Sequence, residues 1–454
     1  MTASLPPGPL VSWYGDDFTG AAAVMEVLTF GGVPSVLFLD IPTPQRLAAF
    51  AGYRGIGIAG VARSKDPAWM EQNLPAAFEA LAGLGAPIAQ YKICSTLDSA
   101  PHVGSIGKAV DLALPWLGGA WHPFVVAAPA IGRWQCFGTL FAAFDGAVHR
   151  LDRHPTMSRH PVTPMHEADV RRHLAPQTGR AIGLVDLTDL RAGEGEAALR
   201  REMAAGADIV AFDVADEADL AVVGALIWNN RGDRLFAIGS QGLEYALLAH
   251  WRQAGLIAPP PPVPSAGAVD RVAVISGSCA PQTAAQIAHA LERGFQPVAV
   301  DARLAVDAAA WAGEVGRAAA AALAAIGAGR DPLLFTARGP DDPAVAALND
   351  ALAASGADAA VVNERIGTGL GTALKQVLRQ AGLKRGIIAG GDTSGHGAGV
   401  LGIHALTALA PTVPGAALFR AHGDELAGLE IALKGGQMGA PDYFSRIKQG
   451  GGPR

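Results

Sequence analysis

The sequence predicts an α/β protein built as two α/β domains in series, with a cleft between them. Three observations predict it. Short apolar runs repeatedly end in glycine and hydroxyl or acidic residues and pass into helical stretches, the strand–turn–helix rhythm of parallel sheets. Half of the 454 residues are hydrophobic, with 57 glycines and only 17% charged residues, which supplies large buried cores. Four consecutive prolines, Pro259 to Pro262, interrupt that rhythm. They form a stiff spacer poor in hydrogen bonds, so 258–266 is expected to link a domain over 1–257 to one over 267–454.

Net charge is −6 and no long basic block appears, so neither nucleic acid nor an anionic membrane is expected as a partner. Cys94, Cys136 and Cys279 are scattered without CxxC spacing, which excludes a disulfide scaffold and a cysteine zinc site and fits a reducing cytoplasm. The first ten residues lack the basic-then-apolar pattern of a secretory signal. No apolar run reaches membrane-spanning length.

In chain order, Leu10 to Tyr14 reads as a strand and Gly15-Asp16-Asp17-Phe18-Thr19-Gly20 as the turn into a helix over 21–30. Acids at the carboxyl end of such a strand stand where open parallel sheets bind ligands. Asp16 and Asp17 could orient a polyol there; the structural alternative is helix capping by Asp17 and Thr19. Ser35 to Leu39 and Gly55 to Val61 are the next strands, the latter followed by Arg63-Ser64. After a helix over 69–84, Ile88 to Cys94 delivers Lys92, Ser95 and Thr96 to its end, fit for a carboxylate and for hydroxyls. A helix over 105–114 and a strand over 124–128 follow.

Gly132 to His173 changes texture. It is rich in arginine and histidine, and prolines around His160 to Met165 predict an extended irregular loop. A basic loop carrying Arg159 and His160 suits an anionic substrate; a solvated excursion is the alternative. The histidine spacing fits no zinc motif. Strands are read at 181–186, 209–213 and 235–238, a helix at 218–228, and a glycine–hydroxyl turn at Gly239 to Gly242.

The second half restarts with a strand over 271–275 that ends in Ser276-Gly277-Ser278. A helix over 282–293, a strand over 296–300 and an alanine-rich helix over 306–326 come next. Strands are read at 332–336, 359–362 and 385–388. The last ends in Gly390-Gly391-Asp392-Thr393-Ser394, with the apolar stretch 400–409 expected to continue as a helix capped by Thr393 or Ser394. Lys434-Gly435-Gly436 is a third glycine-rich turn. Glycines let a phosphate approach the backbone, and helix-start N–H groups point at it. Asp392 could hold Mg²⁺ or accept a proton from an attacking hydroxyl.

Taken together, these stretches resemble the four-carbon acid sugar kinase family along nearly the whole chain. The resemblance implies an N-terminal acid-sugar-binding domain, a C-terminal nucleotide-binding domain, and ATP-dependent phosphorylation of a terminal hydroxyl on a small sugar acid. The expected substrate residues are Asp16, Asp17, Lys92, Ser95, Thr96, Arg159 and His160. ATP and Mg²⁺ are expected on Ser276, Ser278, Gly390, Gly391, Asp392, Thr393, Ser394, Gly435 and Gly436. Asp392 and Asp17 stay open as the base, and a homodimer is a further expectation. One stretch departs from the family pattern Lys-x-Asp-Ser-Thr-Leu-Arg-Gly: here it reads Lys92-Ile93-Cys94-Ser95-Thr96-Leu97-Asp98-Ser99. An arginine clamp for a carboxylate is lost, which implies a substrate other than a plain tetronate. The Trp13-Tyr14-Gly15-Asp16-Asp17 opening is similar to a subgroup of 3-oxo-isoapionate kinases. The competing readings are 3-oxo-tetronate, D-threonate or D-erythronate as substrate. From other classes, they are a non-catalytic sugar-acid sensor, for which no DNA-binding pattern is evident, and a dinucleotide-dependent dehydrogenase, whose first turn would want GxGxxG.

Overall fold

A computed structural model describes residues 4–426 and 428–452. The chain divides into two compact units between Pro261 and Pro262, within the proline run.

The first unit carries a parallel sheet of eight strands. They are β1 (Val11–Gly15), β2 (Ser35–Phe38), β3 (Gly55–Ala59), β4 (Ile88–Lys92), β5 (His122–Val125), β9 (Ile182–Val185), β10 (Ile209–Phe212) and β11 (Leu235–Gly239). Their order is β2-β3-β1-β4-β11-β5-β10-β9. The three remaining strands, β6 (Arg133–Cys136), β7 (Thr139–Phe144) and β8 (Ala147–Arg150), form a separate antiparallel sheet. Its central strands are buried along their whole length, the pattern of a parallel sheet covered on both faces. Strand and helix approach closely at β1: a Cβ on Gly15 would lie 2.4 Å from Ala21 Cβ. The first helix, Phe18–Phe30, starts earlier than 21 because Asp17 caps it, accepting from Gly20 N–H at 2.7 Å.

The first part of the region 132–173 differs from the expected irregular loop, whereas 160–168, around its prolines, is irregular as expected. The region opens with a three-stranded meander turned by Phe137-Gly138 and Asp145-Gly146, all four at positive φ. Two successive positive-φ residues make the turn whose twist matches a hairpin, and Asp-Gly favours it.

The second unit has strands β12 (Ala273–Ser276), β13 (Gln296–Ala299), β14 (Pro332–Phe335), β15 (Arg385–Ala389), β16 (Ile403–Ala410), β17 (Leu418–Gly423) and β18 (Glu430–Lys434). In the order β13-β14-β12-β15-β18 they are parallel, with β17 and β16 antiparallel beyond β18. Two expectations fail here. Residues 359–362 do not form a strand; they open the helix Ala359–Gln380, capped by Asp358. A four-residue apolar run cannot distinguish strand from helix, and here Val362, Ile366, Leu370 and Leu374 continue it at helical spacing, all buried. Nor do residues 400–409 form a helix. The helix is the glycine-rich segment Gly391–Val400, Gly402 at positive φ stops it, and the apolar stretch becomes β16. Glycine costs a helix roughly 1 kcal/mol per residue, yet here it permits packing: a Cβ on Gly371 would lie 2.9 Å from Gly397 Cα.

Candidate active site

In the second unit, parallel register sets three strand ends side by side. Ser276 of β12 is opposite Ala389 of β15, which is opposite Lys434 of β18. Gly277 N–H donates to Ala389 O (3.2 Å), and Gly390 N–H donates to Lys434 O (2.9 Å). The three turns therefore converge. A Cβ on Gly277 would lie 2.4 Å from Thr393 Oγ1, one on Gly390 2.9 Å from the same atom, and one on Gly436 2.5 Å from Ser278 Oγ. Only glycine allows this approach. The helix 391–400 is capped by Gly390 and not by Thr393 or Ser394, with no side chain on its first N–H groups. Ser394 Oγ instead donates to Lys434 O at 3.3 Å. The first helical turn thus offers donors to an anion, and Gly391, where a Cβ would meet nothing within 4 Å, opens onto free space. Asp392 is exposed in that turn.

Lys434 lies beneath the cradle. Its ammonium donates to Thr283 Oγ1 (3.0 Å) and Gly435 O (2.9 Å), and burial pushes its pKa down to about 8. In the sequence, the signal for Lys434 is its position at the end of a buried strand, before two glycines.

In the first unit, β1–β4 register pairs Gly15 with Lys92, and Asp16 N–H donates to Lys92 O (2.9 Å). Arg63, placed by the turn after β3, donates from Nη2 to Asp16 Oδ1 (2.6 Å) and Asp17 Oδ1 (2.8 Å) and from Nε to Asp16 Oδ2 (3.2 Å). Arg63 follows a strand end as Asp16 does, which is the signal the sequence carries for it. Burial raises the pKa of Asp16 and the Arg63 guanidinium opposes that. Burial lowers the pKa of Lys92, against the pull of Asp16 and Asp17. Lys92 Nζ donates to Ile93 O (2.6 Å). A Cβ on Gly20 would lie 2.6 Å from Asp17 Oδ1 and 3.0 Å from Lys92 Nζ, so this glycine makes room for the charged cluster.

The departing stretch forms a relay. Thr96 Oγ1 donates to Asp98 Oδ1 (2.8 Å) and, with its own proton committed, accepts from the Cys94 thiol (2.9 Å). Burial, reinforced by Asp98, pushes Cys94 up to about 11, so the thiol keeps its proton. Ser99 Oγ holds the stretch against His173 Nε2 (3.0 Å). Ser95 is half-buried beside it. Arg159 is exposed, and His160 Nδ1 is satisfied locally by Thr163. Neither forms a hydrogen bond or ion pair with the Asp16–Arg63–Lys92 cluster among the described residues.

Two family models match this chain. A sugar-binding N-terminal domain covers residues 11–247, and a nucleotide-binding C-terminal domain covers residues 273–444. The chain belongs to the four-carbon acid sugar kinase family. As a member of that family it is a sugar-acid kinase that uses ATP. It is 46% identical to a 3-oxo-isoapionate kinase of Paraburkholderia graminis, over 98% of this chain and 95% of that one. It is 30% identical to a 3-oxo-tetronate kinase of Pseudomonas savastanoi pv. phaseolicola, over 97% of each. A solved structure from Salmonella typhimurium LT2 shares the fold, with a TM-score of 0.78 at 24% identity over 97% of this chain and 98% of that one. No helix among the described residues is long and apolar enough to cross a membrane.

Proposed function

We propose that this kinase phosphorylates the terminal hydroxyl of 3-oxo-isoapionate. The observation that carries the reading is the 46% identity, over nearly the full length, to a protein named for that substrate, against 30% for one named for 3-oxo-tetronate. The Cys94–Thr96–Asp98 relay supports it. A thiol is small and neutral where the family pattern has an acid, which leaves room for a branched carbon. In this reading Asp16, Asp17, Lys92, Ser95 and Thr96 hold the sugar acid, with Arg63 fixing the two carboxylates. The Lys92 ammonium pairs with the substrate carboxylate. Arg159 and His160 have less support, being apart from the cluster in hydrogen bonding.

The nucleotide phosphates fit the cradle of Ser276, Ser278, Gly390 to Ser394 and Gly435-Gly436, because the glycine approaches draw its three turns together around Gly391, where a Cβ would meet nothing within 4 Å. ATP supplies the phosphoryl group. Lys434 and the first N–H groups of the 391–400 helix neutralise charge on it, which is the main protein contribution in phosphoryl transfer. Asp392 is the acid of the cradle and the residue that would hold Mg²⁺. No cluster of three ligating side chains exists among the described residues, which suits a cation bound through one carboxylate and phosphate oxygens. Asp392 and Asp17 both stay in the reading as the base. The linker over 258–266, a cytoplasmic location, consistent with the three free cysteines, and a homodimer complete the proposal.

The test is ADP release with ATP and Mg²⁺ over a panel of sugar acids. The highest kcat/KM is expected for 3-oxo-isoapionate. A tenfold preference for a plain tetronate would overturn the substrate and leave the kinase class standing.

A further inference from the structure

Glu244 stands in the first turn of the helix Gly242–Gln253, just after β11 and the Gly239–Gly242 turn. It is fully buried, at 0% exposure, and neither carboxyl oxygen receives a hydrogen bond. Gln90 of β4 reaches that carboxyl. Its Nε2 is spent on Gly239 O (3.2 Å) and Ser240 O (3.0 Å), and its Oε1 is buried with no donor. Turning the amide over would set its oxygen against two carbonyl oxygens, so this orientation stands. The Glu244 carboxyl and Gln90 Oε1 are thus neighbouring buried acceptors that each lack a donor, and a proton on Glu244 would supply one.

We propose that Glu244 is a neutral carboxylic acid that donates to Gln90 Oε1 and serves as a positioning residue for Lys92, leaving the Lys92 ammonium to the substrate carboxylate. Lys92 follows Gln90 by two on β4 and so shares its side of the sheet. It is the charged group that acts on Glu244; Tyr245 neighbours it on the helix, and Glu26 of the 18–30 helix acts on Tyr245. Asp16 and Asp17 balance Arg63 and Lys92. An ionised Glu244 would leave the cluster net negative where an anion must bind, and at low dielectric it would draw the ammonium inward. Burial favours the neutral form, pushing Glu244 up to about 8 from an ordinary 4.5. The inference rests on the Asp16–Lys92 cluster being the sugar-acid site.

The experiment compares the full-length wild type with Glu244→Gln between pH 5 and 9.5. The wild-type KM for 3-oxo-isoapionate is expected to rise on the order of tenfold between pH 7.5 and 9, since one ionisation near 8 gives that slope, with kcat moving less. Glutamine donates to Gln90 Oε1 at every pH and removes that rise. Melting gives a second readout. The folded chain binds a proton here that the unfolded chain has lost above 4.5, so this contribution to wild-type stability falls as pH climbs through the window up to about 8. The melting temperature of wild type relative to Glu244→Gln should therefore fall between pH 5 and 8 and level off beyond. Parallel melting curves, or an alkaline KM rise that survives in Glu244→Gln, would overturn the proposal. If no sugar acid is phosphorylated at any pH, the substrate reading fails, and the melting curves still decide whether Glu244 holds the proton.

Discussion

Gly277 and Thr393 are locked together: a Cβ on Gly277 would lie 2.4 Å from Thr393 Oγ1, and Thr393 is itself buried. β12 therefore fixes where the 391–400 helix begins. Gly277→Ala should push the start of that helix away from the cradle. We expect the KM for ATP to rise at least tenfold, about 1.4 kcal/mol, with the KM for the sugar acid unchanged. Steady-state kinetics with each substrate varied in turn checks this; equal effects on both would mean general damage.

Gly391 makes the opposite test. A side chain there meets nothing within 4 Å, so Gly391→Val should fold with an ordinary melting temperature. The new methyls would stand in the space assigned to phosphate, and nucleotide binding should be lost. Calorimetric titration with ADP decides it. A folded variant with wild-type affinity would place the phosphates elsewhere.

Arg63 holds Asp16, which is almost wholly buried, through two donors. Arg63→Ala leaves that acid without its cation, a loss of about 3 kcal/mol by the behaviour of broken buried pairs. The KM for the sugar acid should rise at least tenfold while that for ATP stays. Arg63→Lys keeps the charge and loses the fork, so it should fall between the two. Thermal denaturation and the two KM values check this together.

Parts of this arrangement were legible in the sequence for a physical reason. Asp16, Lys92, Ser276, Gly390 and Lys434 all stand at or just beyond strand ends, and a parallel sheet lines such ends up. Arg63 was less legible because it lies within a short 3-10 turn beyond the end of β3. Glu244 gave no signal at all: an acid in the first turn of a helix looks like an ordinary capping residue, and its burial comes from packing beyond the turn. The meander over 133–150 did carry a signal, Asp145-Gly146 between apolar runs, which the surrounding arginines and histidines obscured. The helix at 391–400 defied propensity, since tertiary glycine packing outweighed it.

The last prediction concerns the stretch from Cys94 to Ser99. The thiol donates to Thr96, and Thr96 donates to Asp98. This relay spends the Thr96 proton inside the protein, so a substrate oxygen meets neither that proton nor an arginine at position 98. A linear tetronate would lose both contacts, whereas a branched acid can use the volume beside the small sulfur. Replacing Cys94→Asp and Asp98→Arg together adds a negative charge at one end and reverses the charge at the other. Thr96 can then donate to position 94, and the guanidinium becomes available to a carboxylate in forked geometry. The double variant should shift kcat/KM toward D-threonate and D-erythronate, relative to 3-oxo-isoapionate, by at least tenfold, about 1.4 kcal/mol. Cys94→Asp alone should do worse than either, because a carboxylate facing Asp98 across Thr96 adds repulsion without the arginine that relieves it. Competition assays with paired substrates measure the ratio directly. A double variant that keeps the wild-type ratio would remove this stretch from the control of specificity.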